Sequence, residues 1–354
     1  MDPLAMLVDV CVLYSVYAIL AISMELEYGE LGLPNFAKAA FFAVGAFSVG
    51  GLSARLGTWL LGWSWEGSFR ERSWLYATMV TKQVAENPLL GLSILAVVVV
   101  VAVAGAALLG VLASYPAIRL REDYLGITLI AFSETVRVIA RNDENIVGGT
   151  FGAGVVDVFA WAGSFRPYAL FAFAWGLMLL TWAVFRELSA SRYGRVLRAI
   201  RDSELAASIL GRDVVKMRIT TLVIGSVMAA LAGVVYSFYM GAVNPDDFTV
   251  GKTFLVVMIV ILGGRGNPLG PLVGAGVYIA LDKTLSFLKP LLRLPIDVNY
   301  FAYVVFGLGL LLLLAKRPEG LLPESPNTTL HHVESFEKRS AADCSRSLNV
   351  SCRK

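Results

Sequence analysis

The stretch "LLGLSILAVVVVVAVAGAALLGVLA", from Leu89 to Ala113, is 25 residues long and carries no charged side chain. As an α-helix it would be about 37 Å long, more than the roughly 30 Å of a bilayer's hydrocarbon core. Its apolar residues come in one block rather than alternating with polar ones, so the period of a half-wet strand is missing. Similar blocks recur along the chain, which is 57% hydrophobic and only 16% charged, with a mean hydropathy of +0.68. Such a chain is an integral membrane protein. Because lipid offers the backbone no hydrogen bonds, the expected fold is all-α, a polytopic helical bundle. The net charge of +3 is small and concentrated in loops, which does not suit nucleic acid.

Apolar runs place spans near 4–24, 37–54, 88–113, 124–140, 168–185, 219–240, 253–264, 267–288 and 299–315, within a bundle of about 8–10 transmembrane helices. Leu4 to Met24 is expected to be a retained span, since no basic stretch precedes it and no small-residue cleavage site follows. The seventh run is too short to cross as a regular helix, which implies a broken helix shielded by its neighbours. "MELEYGELGLPNF" (24–36) is a second place for a broken helix, one that would reverse the side of the N-terminus. Without it the N-terminus faces outward. Basic residues set the orientation. Arg186, Arg192, Arg195, Arg198, Arg201, Arg212, Lys216 and Arg218 crowd one loop, Arg119 and Arg121 another, and Lys316 and Arg317 follow the last span. All three groups fall on one side by parity, assigned to the cytoplasm. Residues 319–354 read as a disordered polar tail. His331 and His332 lie in that tail, and Cys11, Cys344 and Cys352 show no ligand spacing, so neither a metal site nor a disulfide framework is expected.

The densest charge lies in "YGRVLRAIRDSELAASILGRDVVK" (193–216). At about 100° per residue, Arg195, Arg198, Arg201 and Asp202 share one arc of a helix, and Val196, Leu197, Ala199 and Ile200 the opposite one. One reading is a helix lying on the membrane with its arginines near anionic headgroups. The other uses the following residues. Asp202 or Ser203 can cap a second short helix holding Glu204, Ala206 and Ala207, and Gly211 can end it in the left-handed conformation. Two short helices set at an angle form a compact knob suited to a groove on a soluble subunit.

Here the chain resembles branched-chain amino acid ABC transporter permeases. The likeness covers about residues 29–324. It is carried by the stretch from Tyr193 to Phe248, by "YPAIRLREDYLGITLIAFSETVRVI" (115–139), by "VILGGRGNPLGPLVGAGVYIAL" (260–281) and by "AKRPEGLLPE" (315–324). The resemblance implies a membrane permease domain over 1–318, with a coupling loop at about 186–218 that includes Arg198, Arg201, Glu204, Ala206, Ala207 and Gly211. It also implies a second permease subunit, two cytoplasmic ATPase subunits and an extracytoplasmic solute-binding protein, all at the cytoplasmic membrane. ATP hydrolysis would fall to the separate subunits. Two departures stand out. Leu205 separates the glutamate from the alanines, and Lys38 follows "NF" where the family more often has a neutral residue or histidine.

Two further constellations lie within the spans. Gly266, Gly270 and Gly274 recur every four residues, which puts them on one smooth helix face for close packing. Gly263, Gly264 and Pro268 are expected to turn the chain before it. No Walker lysine or preceding strand accompanies these glycines, so no cofactor or nucleotide site is expected. In the fourth span, Glu134 and Arg137 lie near mid-membrane at a spacing that lets them pair. Thr128 and Thr135 share another face. These four either line a pathway or satisfy one another and the backbone. The leading function is therefore an importer permease for branched-chain amino acids. The alternatives are an importer permease for urea or short amides, and an ion-coupled secondary transporter using Glu134. A membrane-embedded enzyme is disfavoured because no histidine precedes the tail.

Overall fold

The computed structural model describes residues 3–119, 122–292 and, further on, 304, 307–309, 311, 315–317 and 319–324. In chain order the helices are α1 (Pro3–Met24), α2 (Lys38–Leu60), α3 (Phe69–Glu86), α4 (Pro88–Arg119), α5 (Glu122–Asn142) and α6 (Glu144–Val147). They continue with α7 (Arg166–Ala190), α8 (Arg192–Asp202), α9 (Glu204–Ile209), α10 (Val214–Met240), α11 (Val250–Gly263) and α12 (Gly270–Leu292). Two short strands, β1 (Ala153–Gly154) and β2 (Ala242–Val243), pair antiparallel with Ala153 opposite Val243. The protein is an all-α, multi-pass membrane bundle. Most of the ninth expected span, all of the tail beyond Glu324, and with it His331, His332, Cys344 and Cys352, lie outside the described residues.

Among the described residues, five helical stretches are long and apolar enough to cross a bilayer alone: Leu4–Glu30, Lys38–Leu60, Pro88–Pro116, Ala160–Ala190 and Val214–Met240. Helix α11 begins beside the first turn of α2, where Thr253 Oγ1 accepts from the Ala39 N–H at 2.9 Å, and leads through a turn into α12. One end of the bundle gathers α8, α9, the start of α10 and the turn between α11 and α12, and it is rich in arginine. The opposite end holds α3, α6 and the β1–β2 pair, and is fastened by Arg55 donating to the Asn145 carbonyl (2.7 Å) and by the Arg70–Glu144 ion pair (2.5 Å). At 14 residues α11 is short, about 21 Å of helix, as its sequence demanded. Residues 24–36 contain no extra crossing. α1 runs directly into a π-helical turn, Glu25–Glu30, so the start of the chain and the arginine-rich end sit at opposite ends of the bundle.

The core sits where α10 packs on α2 and α4, with α1 alongside. Small residues permit this. A Cβ on Gly233 would press into the Phe42 carbonyl, and one on Gly45 into the Ala230 carbonyl, so each glycine admits the other helix's backbone. Phe42, Tyr236 and Phe248 fill the space beyond, with ring centroids 5.1–6.0 Å apart. Helix α4, by contrast, leaves Leu92, Val100, Leu108 and Val111 exposed on its outer side.

Helix α3 is an element the apolar runs did not reveal. It buries Phe69, Ser73, Tyr76, Ala77, Val80 and Val84, a stripe at helical spacing, against α2 and β1. A second departure is the chain's last described stretch. Residues 319–324, grouped by sequence with the polar tail, cross the end of α11, where the backbone N–H groups of Leu321 and Leu322 donate to the carbonyls of Leu262 and Gly263 (both 3.0 Å). Those carbonyls end a helix and need donors, which the strap supplies.

Candidate functional site

The arginine-rich end is assembled from the foot of α1 upward. Its π-turn reads "ELEYGE" and buries Glu25, Glu27 and Glu30 almost completely. Buried carboxylates require cations or several donors. Glu27 takes Lys38 Nζ at 2.5 Å on one oxygen and Asn35 Nδ2 at 3.1 Å on the other. Lys38, a departure from the family pattern, is thus the counter-ion of a buried acid. Glu25 Oε1 accepts from the Gly266 backbone N–H at 2.6 Å, while its Oε2 has no hydrogen-bond partner among the described residues. Glu30 accepts from Ser189 Oγ of α7 and from Arg198 Nη1 at 2.6 Å.

Helix α8 begins at Ser191, whose side chain caps the Tyr193 N–H at 3.0 Å, and buries Gly194, Leu197 and Ile200. Its arginines do not all run along lipid headgroups. Arg195 stays exposed, but Arg198 turns inward to Glu30. Arg201 donates to the Gly29 carbonyl and to Glu324 of the strap, each at 2.6 Å. The acids at the foot of α1 and in the strap draw these two side chains in. Burial opposes the Arg201 charge, yet Glu324 and Asp202 together hold its pKa above the ordinary guanidinium value. Burial likewise pushes the Tyr193 phenol up, against the lowering effect of its 2.7 Å bond with Thr221 on α10. A cleft of about 720 Å³ opens beside this network, lined by Tyr28, Arg201, Arg265, Glu319 and Glu324 among others.

Of the two caps considered for α9, Ser203 is the one used, accepting from the Ala206 N–H at 3.3 Å. Gly211 adopts φ +76°, the left-handed stop expected of it. Ala207 is buried against the bundle and Ala206 is exposed. Glu204 is held by Arg218 Nη2 of α10 at 2.7 Å. What projects from the knob is apolar: Leu205, Ile209 and Leu210 are 72%, 76% and 78% exposed. These three were missed because small residues drew attention to the alanines, although Leu205 had already stood out as a misfit.

The glycine segment is only partly a helix face. Gly266 has φ +80° and lies in the turn after α11, off the helix. Pro268 and an Asn267 side chain that caps the Leu269 N–H delay the start of α12 to Gly270. Gly270 and Gly274 do face the end of α11, where a Cβ would meet the carbonyls of Gly264 and Ile259. Gly263 and Gly264 close α11, Gly264 at φ +109°.

Glu134 and Arg137 do meet, with Arg137 Nε 2.9 Å from Glu134 Oε1, but not in mid-membrane isolation. Arg137 also binds Asp246 at 2.5 Å, in the turn that follows β2, and Arg141 reaches the same carboxylate at 3.6 Å. The loop after α10 folds back over α5 and brings Asp246 to it, which places the group toward the end opposite the arginines. Glu134 is 40% exposed there. Thr128 and Thr135 spend their hydroxyls on their own helix, each donating at 2.8 Å to the carbonyl four residues earlier.

The family model described as branched-chain amino acid transport system / permease component matches residues 6–314. The chain belongs to that family of permeases. It is 36% identical over 325 residues to a probable branched-chain amino acid transport permease protein LivM of Methanocaldococcus jannaschii, covering 89% of this chain and 93% of that one. It is 27% identical to the high-affinity branched-chain amino acid transport system permease protein LivM of Salmonella typhimurium, over 89% of this chain and 70% of that one. The LivH permease of the same bacterium matches at 27%, over 87% and 91%. No solved structure matches the chain. This permease is thus of the ABC importer type, and its likeness to both LivM and LivH implies a transporter with a second permease.

Proposed function

We propose that this permease moves branched-chain amino acids inward across the cytoplasmic membrane, and that its α8–α9 knob docks the ATPase subunits that power the movement. The arginine-rich end is then cytoplasmic, as the excess of basic residues in its loops favours. The β1–β2 end faces the solute-binding protein, and ATP is hydrolysed on the partner subunits. The permease domain extends through the strap to Glu324. The observation that carries the docking assignment is the tip of α9, where Leu205, Ile209 and Leu210 stand exposed together on a knob otherwise crowded with charge. Large apolar side chains presented this way suit a groove on a soluble partner. The substrate assignment is supported by the names of the relatives.

The test uses the assembled importer. Leu205→Ser combined with Ile209→Ser should leave insertion and thermal stability within about 0.5 kcal/mol of wild type, as for surface substitutions. Recovery of the ATPase subunits by pull-down should fall sharply, and uptake of radiolabelled leucine, isoleucine and valine should fall with it. Full ATPase recovery would refute the docking role. Wild-type uptake suppressed by excess urea but not by excess leucine would refute the substrate.

A further inference from the structure

The foot of α1 is wound as a π-turn, a rare form that appears mostly as single turns at functional positions. Here it carries three buried carboxylates, and each holds a different part of the protein. Glu25 binds the Gly266 N–H in the α11–α12 turn, Glu27 binds Lys38 of α2 and lies against Gly225 of α10, and Glu30 binds Arg198 of α8 and Ser189 of α7. Arg201 adds a bond to the turn's own backbone at the Gly29 carbonyl.

We propose that this π-turn is the junction that carries displacement of the α8–α9 knob into the bundle, with Glu30 as the positioning residue that grips Arg198. The proposal rests on the docking role given above to α9. Covalently, α8 is tied to α7 only through Ser191 and to α9 only through Ser203, and each joint is a capped turn, Ser191 accepting from the Tyr193 N–H and Ser203 from the Ala206 N–H. Arg198 also donates to the Ser189 hydroxyl and carbonyl at the foot of α7 (both 3.3 Å), and the strongest attachment is lateral. Arg198 and Arg201, three residues apart, seize the Glu30 carboxylate and the neighbouring Gly29 carbonyl with charge-assisted bonds, the strong kind. Glu30 is 3% exposed and Arg198 20%, so separating them would strand a buried charge. Movement of α8 therefore drags the π-turn instead of sliding past it. From that turn the path divides, through Glu27 to α2 and through Glu25 to the α11–α12 turn.

A merely structural clamp would use the same bonds, so the test reads coupling separately from assembly. The complete importer, with both permeases, both ATPase subunits and the solute-binding protein, is reconstituted in liposomes with wild-type or Glu30→Gln chain. ATPase recovery should match wild type, the thermal midpoint should fall as Arg198 loses its carboxylate while the complex still assembles, and ATP hydrolysis stimulated by the liganded binding protein should persist. Substrate moved per ATP should fall about fivefold or more, the low end of the factors that link coupled sites. Ser189→Ala, which removes a hydroxyl bonded to Glu30 and Arg198 but leaves their ion pair in place, should change that ratio by no more than about twofold. An unchanged ratio in Glu30→Gln, or a loss of ATPase recovery that accounts for the lost uptake, overturns the proposal. If Glu30→Gln does not fold or insert, Arg198→Lys keeps the charge and loosens the grip. It should show the same fall in substrate per ATP, and a wild-type ratio there overturns the proposal equally. Failure of the docking role would appear elsewhere, as full ATPase recovery by the Leu205→Ser, Ile209→Ser variant.

Discussion

Lys38→Met isolates the cost of one buried charge. In the wild-type protein the Lys38 and Glu27 side chains are 1% and 0% exposed and meet at 2.5 Å. Methionine keeps the unbranched stem and removes the ammonium, leaving Glu27 with Asn35 as its remaining side-chain donor. Removing one partner from a buried ion pair costs about 3–5 kcal/mol. With roughly 2.1 cal/mol/K of unfolding entropy per residue, a chain of this size should lose about 4–7 °C in Tm. Glu27→Met added to Lys38→Met removes the stranded charge with another unbranched side chain, as the nearby Gly225 requires. The double variant should then recover part of the loss, retaining a deficit of about 1–3 kcal/mol because Asn35 Nδ2 is left without its acceptor. Melting in a fixed detergent, followed by tryptophan fluorescence, measures all three proteins. A Tm for Lys38→Met within about 1 °C of wild type would refute the reasoning. So would a double variant less stable than the single.

Three more expectations follow from the geometry. Glu134→Gln should cost no more than about 1 kcal/mol, since an exposed partner contributes little, whereas Arg137→Gln, which leaves Glu134 and Asp246 facing each other, should cost more. The reverse order in thermal melts would contradict the placement of α5. Gly233→Val should destabilise the bundle by about 1–3 kcal/mol or more by forcing α10 away from Phe42, while Gly176→Val, where a Cβ meets nothing within 4 Å, should melt like wild type. In a background with Cys11, Cys344 and Cys352 changed to serine, Ser208→Cys and Ser64→Cys should react with impermeant thiol reagents from opposite sides of the membrane. Labelling from the same side would overturn the order of crossings between α2 and α9.

Hydropathy made α1, α2, α4, α7 and α10 legible because each is a long apolar run, and length is what a bilayer selects. It was blind to α3. That helix is polar on average, and only the spacing of Phe69, Ser73, Tyr76, Val80 and Val84 betrays it. The arginine arc of α8 was visible on a helical wheel, but its direction was not. Arg198 turns inward for a carboxylate 168 residues earlier in the chain, and a local pattern contains no trace of such a partner. Gly266 failed for the opposite reason. A spacing of four residues suggested a helix face, yet the Asn-Pro pair beside it makes the turn that breaks the register. Glu204 starts α9 and Gly211 follows its end, while the apolar tip between them left no sign in the spacing of the small residues.

The packing of α2 against α10 has a consequence for how the protein is made. About 175 residues separate the start of α2 from the start of α10. At roughly 5–20 residues per second, α2 waits in the membrane for about 10–35 s before its main partner exists. Throughout that interval its glycine face has only lipid or earlier helices to meet. The ion pair at its base is differently timed. Glu27 and Lys38 are 11 residues apart and leave the ribosome almost together, so each neutralises the other before α10 has been synthesised. A membrane-insertion machine is therefore never asked to release α2 with an unmatched charge at its start, and a nascent chain carrying Lys38→Met loses that protection during biogenesis as well as in the finished fold.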